Sequence, residues 1–463
     1  MTGDELRRQK YINMTETSVK VLVCRMAVPT IISMLVTALY SMADTFFVGR
    51  VGTSATAAVG VVFSLMAIIQ AVGFCFGQGS GNYISRKLGE RKFKEASRMA
   101  ATGFLSAFGA GLLITAVGLI FLTDLALMLG STDTILPHAK EYMRVILFGA
   151  PFMASSLVLN NQLRLQGNAA YAMVGIASGA VINIGLDPLF IFTFGMGVSG
   201  AALATIISQF VSFCLLLLGC KRGGSIPIKL RDFSPNARRY WEIARGGAPS
   251  LFRQGLACAA AIALNLAARR YGDAAVAAMS IVTRVGMFAF AALIGFGQGF
   301  QPVCGFNYGA KNYARVLEGF WFCVRVGTFW LAALALLGFI YAPEVISLFR
   351  RDDALVIEIG TRALRAQCVT FPLLAWFTLN NMMMQNIGAF GRASVLAISR
   401  QGLFFIPLIL ILPRYFGLTG VILSQPLADL CCFLLALPLG AGVIRDLGGG
   451  DITRLGSQNR KAV

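Results

Sequence analysis

Long apolar stretches broken by short polar and basic segments run the length of the chain. They show neither the strict alternation of a half-buried strand nor the polar face of a soluble amphipathic helix. Their lengths suit a bilayer. The pattern predicts about twelve spans, at roughly 21–48, 53–80, 97–122, 138–160, 169–190, 197–219, 240–268, 274–300, 316–341, 357–384, 392–412 and 417–443. A segment crossing hydrocarbon must satisfy its own backbone polar groups, so these spans are helices. Runs this long and apolar do not fit the alternating strands of an outer-membrane barrel. The expected fold class is therefore an all-α polytopic membrane protein.

The second pattern is a repeat. A shift of 220 positions lays Pro29 on Pro249, Gly52 on Gly272, Phe76-Gly77-Gln78-Gly79 on Phe296-Gly297-Gln298-Gly299, and Gly89 on Gly309. The register persists through Asn160-Asn161 on Asn380-Asn381 and through Gly197 and Gly200 on Gly417 and Gly420. Two six-span units are expected, residues 1–220 and 241–463, joined by a linker at 221–240. Six is even, so both units start on the same side of the membrane, and their pseudo-twofold axis runs along the membrane normal. Secondary transporters use this arrangement to hold a substrate site between halves that rock against each other; the other reading of such a duplication is a scaffold without transport.

Composition agrees, with 57% hydrophobic and only 13% charged residues. A formal charge of +19 would suggest nucleic acid as partner of a soluble protein. Here the basic residues gather in loops, notably Arg86, Lys87, Arg91, Lys92 and Lys94, then Lys221, Arg222, Lys229, Arg231, Arg238 and Arg239. With the N-terminus inside, roughly 22 Lys and Arg fall in cytoplasmic segments against roughly 6 outside. Both termini are thus expected in the cytoplasm, in a plasma or inner membrane, with the basic loops facing anionic lipid headgroups and no nucleic acid involved. No cleavable signal peptide is expected, because the first span is too long for a signal h-region. The ten cysteines are scattered with no C-x-x-C spacing and read as small core residues. His138, the single histidine, has no clustered ligands. No H-E-x-x-H motif, Ser/His pairing within a span or clustered acidic metal motif is present, so neither an enzyme nor a cofactor is expected.

Carboxylates inside spans are expensive and call for a function. Asp44 lies near the outer end of span 1 and Asp187 near the outer end of span 5, at similar depth if helices rise about 1.5 Å per residue. Tyr40 and Asn183 each precede an acid by four residues and share its helix face, and Thr37 extends the first face by a turn. These groups form a hard oxygen-ligand set for Na+, or two acids able to hold H+. The alternative is that the acids cap helix ends or pair with Arg50. The second unit does not repeat the set: position 264 is Leu, and the eleventh span is apolar around position 407. Its buried charges are Arg253, Arg284, Arg400 and Asp429, and comparable depth predicts a structural ion pair between Arg284 and Asp429. Met382-Met383-Met384 and Phe404-Phe405 are candidates for an adaptable apolar cavity, Met383 among them, or for ordinary packing. Pro29 and Pro249 bend the first helix of each unit.

Several stretches resemble the multidrug and toxic compound extrusion (MATE) family over nearly the whole chain. They are Pro29 to Gly52, the FGQG run at 76–79, Arg164-Leu165-Gln166-Gly167, and Gly297 to Lys311. The run Asn183-Ile184-Gly185-Leu186-Asp187-Pro188 is similar to the span-5 signature of the DinF-like branch. That resemblance implies cation coupling through Asp44, Asn183 and Asp187, with Thr205 as the family's span-6 polar residue and Tyr142 as its span-4 tyrosine. Gln254 stands where other branches carry an acidic second-lobe site. The family implies a V-shaped, twelve-helix antiporter, expected as a monomer, exporting small organic cations or amphipathic drugs in exchange for H+ or Na+. A lipid-linked oligosaccharide or lipid II flippase is the nearest alternative. Such relatives usually have about fourteen spans and an arginine-rich cavity, which Arg253, Arg284 and Arg400 keep in view.

Overall fold

The computed structural model describes residues 3–51, 53–132, 134–221, 226–350 and 353–449. Gly52 of the repeat pattern, Arg222 of the linker cluster and the end of the second unit from 450 to 463 lie outside the described residues. All regular structure among them is helical. The first half contains α1 (Gly3–Glu16), α2 (Val19–Gly49), α3 (Thr53–Gly89), α4 (Phe93–Ile120), α5 (Leu122–Met128), α6 (Leu136–Leu165), α7 (Ala169–Pro188) and α8 (Gly197–Lys221). The second contains α9 (Ala237–Arg269), α10 (Asp273–Gly309), α11 (Tyr313–Ile340), α12 (Ala342–Phe349), α13 (Ala354–Ile387), α14 (Phe390–Ile398) and α15 (Ile406–Gly448).

Among the described residues, ten helical segments are long and apolar enough to cross a membrane, and Phe390–Gly448 is one of them. That segment is two spans, because Gly417 leaves the helical region at φ 57°, ψ −137° and reverses the chain inside α15. The twelfth span is α13. Glu358, Arg362 and Arg365 near one end, with Asn380, Asn381, Gln385 and Asn386 near the other, lower its mean hydropathy. The architecture is a twelve-helix multi-pass membrane protein of two lobes.

The repeat is visible in backbone geometry. The short helices α5 and α12 begin at the equivalent positions Leu122 and Ala342. Gly197 and Gly417 share a left-handed conformation, at φ 56° and 57°. Arg91 and Lys311 do too, at φ 60° and 63°. Each follows the end of a long helix and lets the next N–H close back on it, Lys92 N to Lys87 O and Asn312 N to Asn307 O, both at 2.8 Å. This is the six-to-one closure that usually takes glycine. A side chain there costs on the order of 1–2 kcal/mol, and the chain bears that cost at both copies.

The lobes meet at the end of the bundle that carries the basic loops. There α2 packs on α10, α3 on α9, and α3 crosses α10. Backbones touch at the crossing: a β-carbon on Gly89 would lie 2.2 Å from Phe306 O, and one on Gly309 would lie 2.1 Å from Arg86 O. Beneath lies an apolar cluster drawn from both halves, including Val23, Ile84, Phe300 and Phe320. Arg164 of α6 is also buried in this contact, 1% exposed. It donates to Gln298 O at 2.9 Å, to Gln301 Oε1 at 2.5 Å and to Asn161 Oδ1 at 2.7 Å. Gln78 donates to the same Asn161 oxygen at 3.0 Å.

Helix α1 lies across this end, with Asn307 Nδ2 donating to Met14 O at 3.1 Å. Lys10 on α1 has a buried Nζ without a hydrogen-bond partner, and burial pushes its ammonium down to about 7. The folded state therefore binds fewer protons than the unfolded one between pH 7 and the ordinary lysine value, so docking of α1 strengthens as pH rises through that window. Hydrogen exchange of α1 amides should slow from pH 7 to 10 after correction for intrinsic rate, and Lys10→Met should remove the dependence. Gly89→Val and Gly309→Val should each destabilise the closed crossing by about 1–3 kcal/mol, read as a lower melting temperature in detergent.

Candidate cation and substrate site

Asp44 and Asp187 are brought together by four helices. On α2, Pro29 cannot donate a backbone hydrogen bond, and the hydroxyls that follow on one face turn back onto the backbone. Ser33 donates to Pro29 O at 3.0 Å, Thr37 to Ser33 O at 2.7 Å and Ser41 to Thr37 O at 3.1 Å. Such back-bonding bends helices, so the segment from Pro29 to Asp44 is built as a curved arm. On α7, Pro188 also lacks an N–H, and the chain widens into a π-helical turn, Leu189–Thr193, directly after Asp187. Gly200 lets α8 approach that turn; a β-carbon there would meet Phe190 C at 2.8 Å. This close approach sets Thr205 opposite Asn183.

The side chains form one polar cluster in an apolar surround. Asp187 is 0% exposed, Asn183 1%, Thr205 2% and Tyr142 1%, while Thr37, Tyr40 and Asp44 are half-buried. With its amide turned to suit both neighbours, Asn183 donates to Asp187 Oδ2 at 3.0 Å and accepts from the Thr205 backbone N–H at 3.2 Å. The Asp44 charge reaches Asp187. The Tyr40 and Tyr142 hydroxyls approach Thr205 and feel both carboxylates. Neither acid has a lysine or arginine within ion-pair distance among the described residues. One oxygen of each, Asp44 Oδ1 and Asp187 Oδ1, is buried without a donor. Two such oxygens with amide and hydroxyl groups beside them fit a hard monovalent cation or a shared proton.

Two expectations are corrected in the second lobe. Asp429 pairs with Arg400, not Arg284. Arg400 Nε donates to Asp429 Oδ1 at 2.8 Å, and Gln425 Nε2 donates to the same oxygen at 2.8 Å. Arg284 shares the exposed face of α10 with Thr283, Met287 and Phe288. Depth along a helix sets height but not azimuth, and height alone had suggested the wrong partner. Arg400 comes within reach because α14 passes into a π-helical segment, Ser399–Phe405, and its guanidinium also lies 5.1 Å from the Phe290 ring. Met383 lines no open cavity: it is 0% exposed in the apolar cluster with Phe377, Ile387 and Cys432. The Arg164 network was missed as a unit, although its parts, the repeated FGQG and Asn-Asn runs, stand out in the sequence.

Comparison with known proteins adds an independent line. The MatE family model matches residues 29–189 and again 249–411, two copies with the offset of the internal repeat. The chain belongs to the MatE family. It is a membrane transporter rather than an enzyme, as that family is. The multidrug export protein MepA of Staphylococcus aureus strain MRSA252 is 28% identical over 414 residues, 89% of this chain and 91% of MepA. MepA of Staphylococcus haemolyticus strain JCSC1435 is 26% identical over 434 residues, 93% of this chain and 95% of that one. Among solved structures, an outward-facing multidrug resistance MATE transporter of the MOP superfamily superposes with a TM-score of 0.89 at 28% identity, covering 95% and 98% of the two chains. A MATE protein in complex with MaL6 gives 0.89 at 28% identity, covering 95% and 99%.

Removing Arg400 alone strands the Asp429 carboxylate. Arg400→Met should cost about 3–5 kcal/mol of stability, while Arg400→Met with Asp429→Leu should recover most of it. Arg284→Gln should stay within about 0.5 kcal/mol of the parent, all read by thermal unfolding in detergent.

Proposed function

We propose that this MatE protein is a secondary active exporter of cationic or amphipathic organic compounds, driven by exchange for H+ or Na+ at Asp44, Asn183, Asp187 and Thr205. The observation that carries the reading is the pair of carboxylates in one polar cluster, each with a buried oxygen that no group among the described residues satisfies. Such a pair is unfavourable until a cation or proton arrives. The multidrug export role of the MepA relatives supports an organic cargo.

The reading divides the chain into an N-lobe, 1–220, a cytoplasmic linker, 221–240, and a C-lobe, 241–463. The basic end faces the cytoplasm by the bias of its loops. The glycine crossing of α3 and α10 and the Arg164 network then form a shut cytoplasmic gate, so the conformation is outward-facing. A cation entering from outside draws Asp44 and Asp187 together. Asp44 sits on the curved arm beyond Pro29, so that movement is transmitted along α2, which also bonds the opposite lobe through Thr30 Oγ1 to Gly295 O at 2.6 Å. Thr37 and Tyr40 lie on the path between cation and cargo, while Tyr142, 1% exposed, backs the cation cluster and lines no open cavity. Export requires only that cation and cargo bind with negative linkage, which is reciprocal by necessity.

In proteoliposomes, ethidium efflux under separately imposed Na+ and H+ gradients identifies the ion. Asp44→Asn and Asp187→Asn should each reduce exchange at least ~100-fold with insertion and melting temperature retained. Undiminished efflux in both variants would reject the assignment.

A further inference from the structure

Away from the carboxylate cluster, the lobes also meet on the outer wall of the bundle, where the start of α2 lies beside α11. A cavity of about 470 Å³ opens there, lined by Lys20 of α2 and by Glu318, Trp321, Phe322 and Arg325 of α11. The four α11 residues stand at i, i+3, i+4 and i+7, so one helix face supplies them all. Lys20, Glu318, Trp321 and Arg325 are exposed. None of the three charged groups makes an ion pair within 4.0 Å among the described residues.

The depth of these charges is informative. Lys20 is the second residue of α2, whereas Arg325 is about 18 Å along α11 from Tyr313. Val19, next to Lys20, packs against Gly319 of α11, so Lys20 lies level with Glu318 and Phe322 and the cavity runs from there inward to Arg325. Beyond it the exposed surface is mostly apolar, with Phe329 78% and Trp330 47% exposed on α11, and Val28 56% and Ile32 42% exposed on α2, where Arg25 shares the exposed face. An arginine and a lysine on a lipid-facing wall, without an ion pair among the described residues, suit an anionic partner from the membrane. A tryptophan beside them is the side chain suited to the interface.

We propose that this cavity binds the headgroup of an aminophospholipid, with its phosphodiester on Lys20 and Arg325, its primary amine on Glu318 and its acyl chains along the exposed wall of α2 and α11. The carboxylate selects the class. A headgroup bearing only a phosphate would leave Glu318 facing an anion, and a trimethylated amine offers no N–H for it to accept. The volume lies within the range of small-molecule sites. Because Lys20 belongs to the first lobe and the other groups to the second, a lipid seated here bridges the two lobes at the closed end. Movement of α2 against α11 would break that bridge, so the bound lipid favours the closed basic end.

The test uses the full chain in mild detergent, titrated with phosphatidylethanolamine, phosphatidylcholine and phosphatidylglycerol of matched acyl chains, with bound lipid counted by native mass spectrometry. The unaltered protein should retain phosphatidylethanolamine at least ~5-fold over the other two. Glu318→Gln should abolish its advantage over phosphatidylglycerol, and Lys20→Gln and Arg325→Gln should lower retention of all three about 5-fold. All three substituted positions are exposed, and an unchanged melting temperature in lipid-free detergent shows that the fold is intact. Equal retention of the three lipids by the unaltered protein overturns the proposal, as does parental lipid preference in the Glu318→Gln protein or undiminished retention in the Lys20→Gln and Arg325→Gln proteins. Asp44→Asn should keep the full lipid preference, which separates this site from the exchange reading.

Discussion

The closest contact between the two lobes involves almost no side-chain chemistry. At the crossing of α3 and α10, Gly89 and Gly309 each face a carbonyl oxygen of the opposite helix at a distance no β-carbon could occupy. In hydrocarbon, water does not drive helices together, so association depends on how closely backbones can approach. The glycines permit that approach at one end of the bundle, and the rest of the arrangement follows.

The two lobes spend their intramembrane polar groups differently. In the second, Asp429 receives Arg400 and Gln425, and the charge is satisfied within the protein. In the first, Asp44 and Asp187 share a cluster with Asn183, Thr205 and two tyrosines, and an oxygen of each remains without a donor among the described residues. Both sites lie beside π-helical segments, Leu189–Thr193 and Ser399–Phe405. A widened turn releases a side chain from ordinary helical spacing, which explains the use of this irregularity at both places. A widened turn thus lies beside a satisfied ion pair in one lobe and an unsatisfied acid pair in the other, at positions that the 220-residue repeat does not equate.

Much of this was legible in the chain. Span length, the even number of spans per repeat and the basic loops follow from transfer energies that act residue by residue. The Asp44, Asn183 and Asp187 grouping was legible because helical spacing of four puts partners on one face and similar depth puts the acids at one height. Arg284 shows where that reasoning stops: it has the right height for Asp429 but the wrong azimuth. Met383 shows the same limit, since an adaptable apolar side chain looks alike in a cavity and in a core, and its neighbours place it in the core. The Arg164 network and the Lys20–Arg325 cavity join residues from different lobes, more than a hundred positions apart, and no local pattern reports such a meeting.

By itself the sequence determined the helical fold class, the duplication, the basic loops and the same-face spacing of the polar residues on single spans, because each depends on composition or period along a single helix. Tertiary structure alone decided which arginine neutralises Asp429, which glycines let the lobes touch, and where charges on the outer wall converge. Those outcomes depend on the rotation of each helix about its axis, which is set by packing against neighbours far away in the chain.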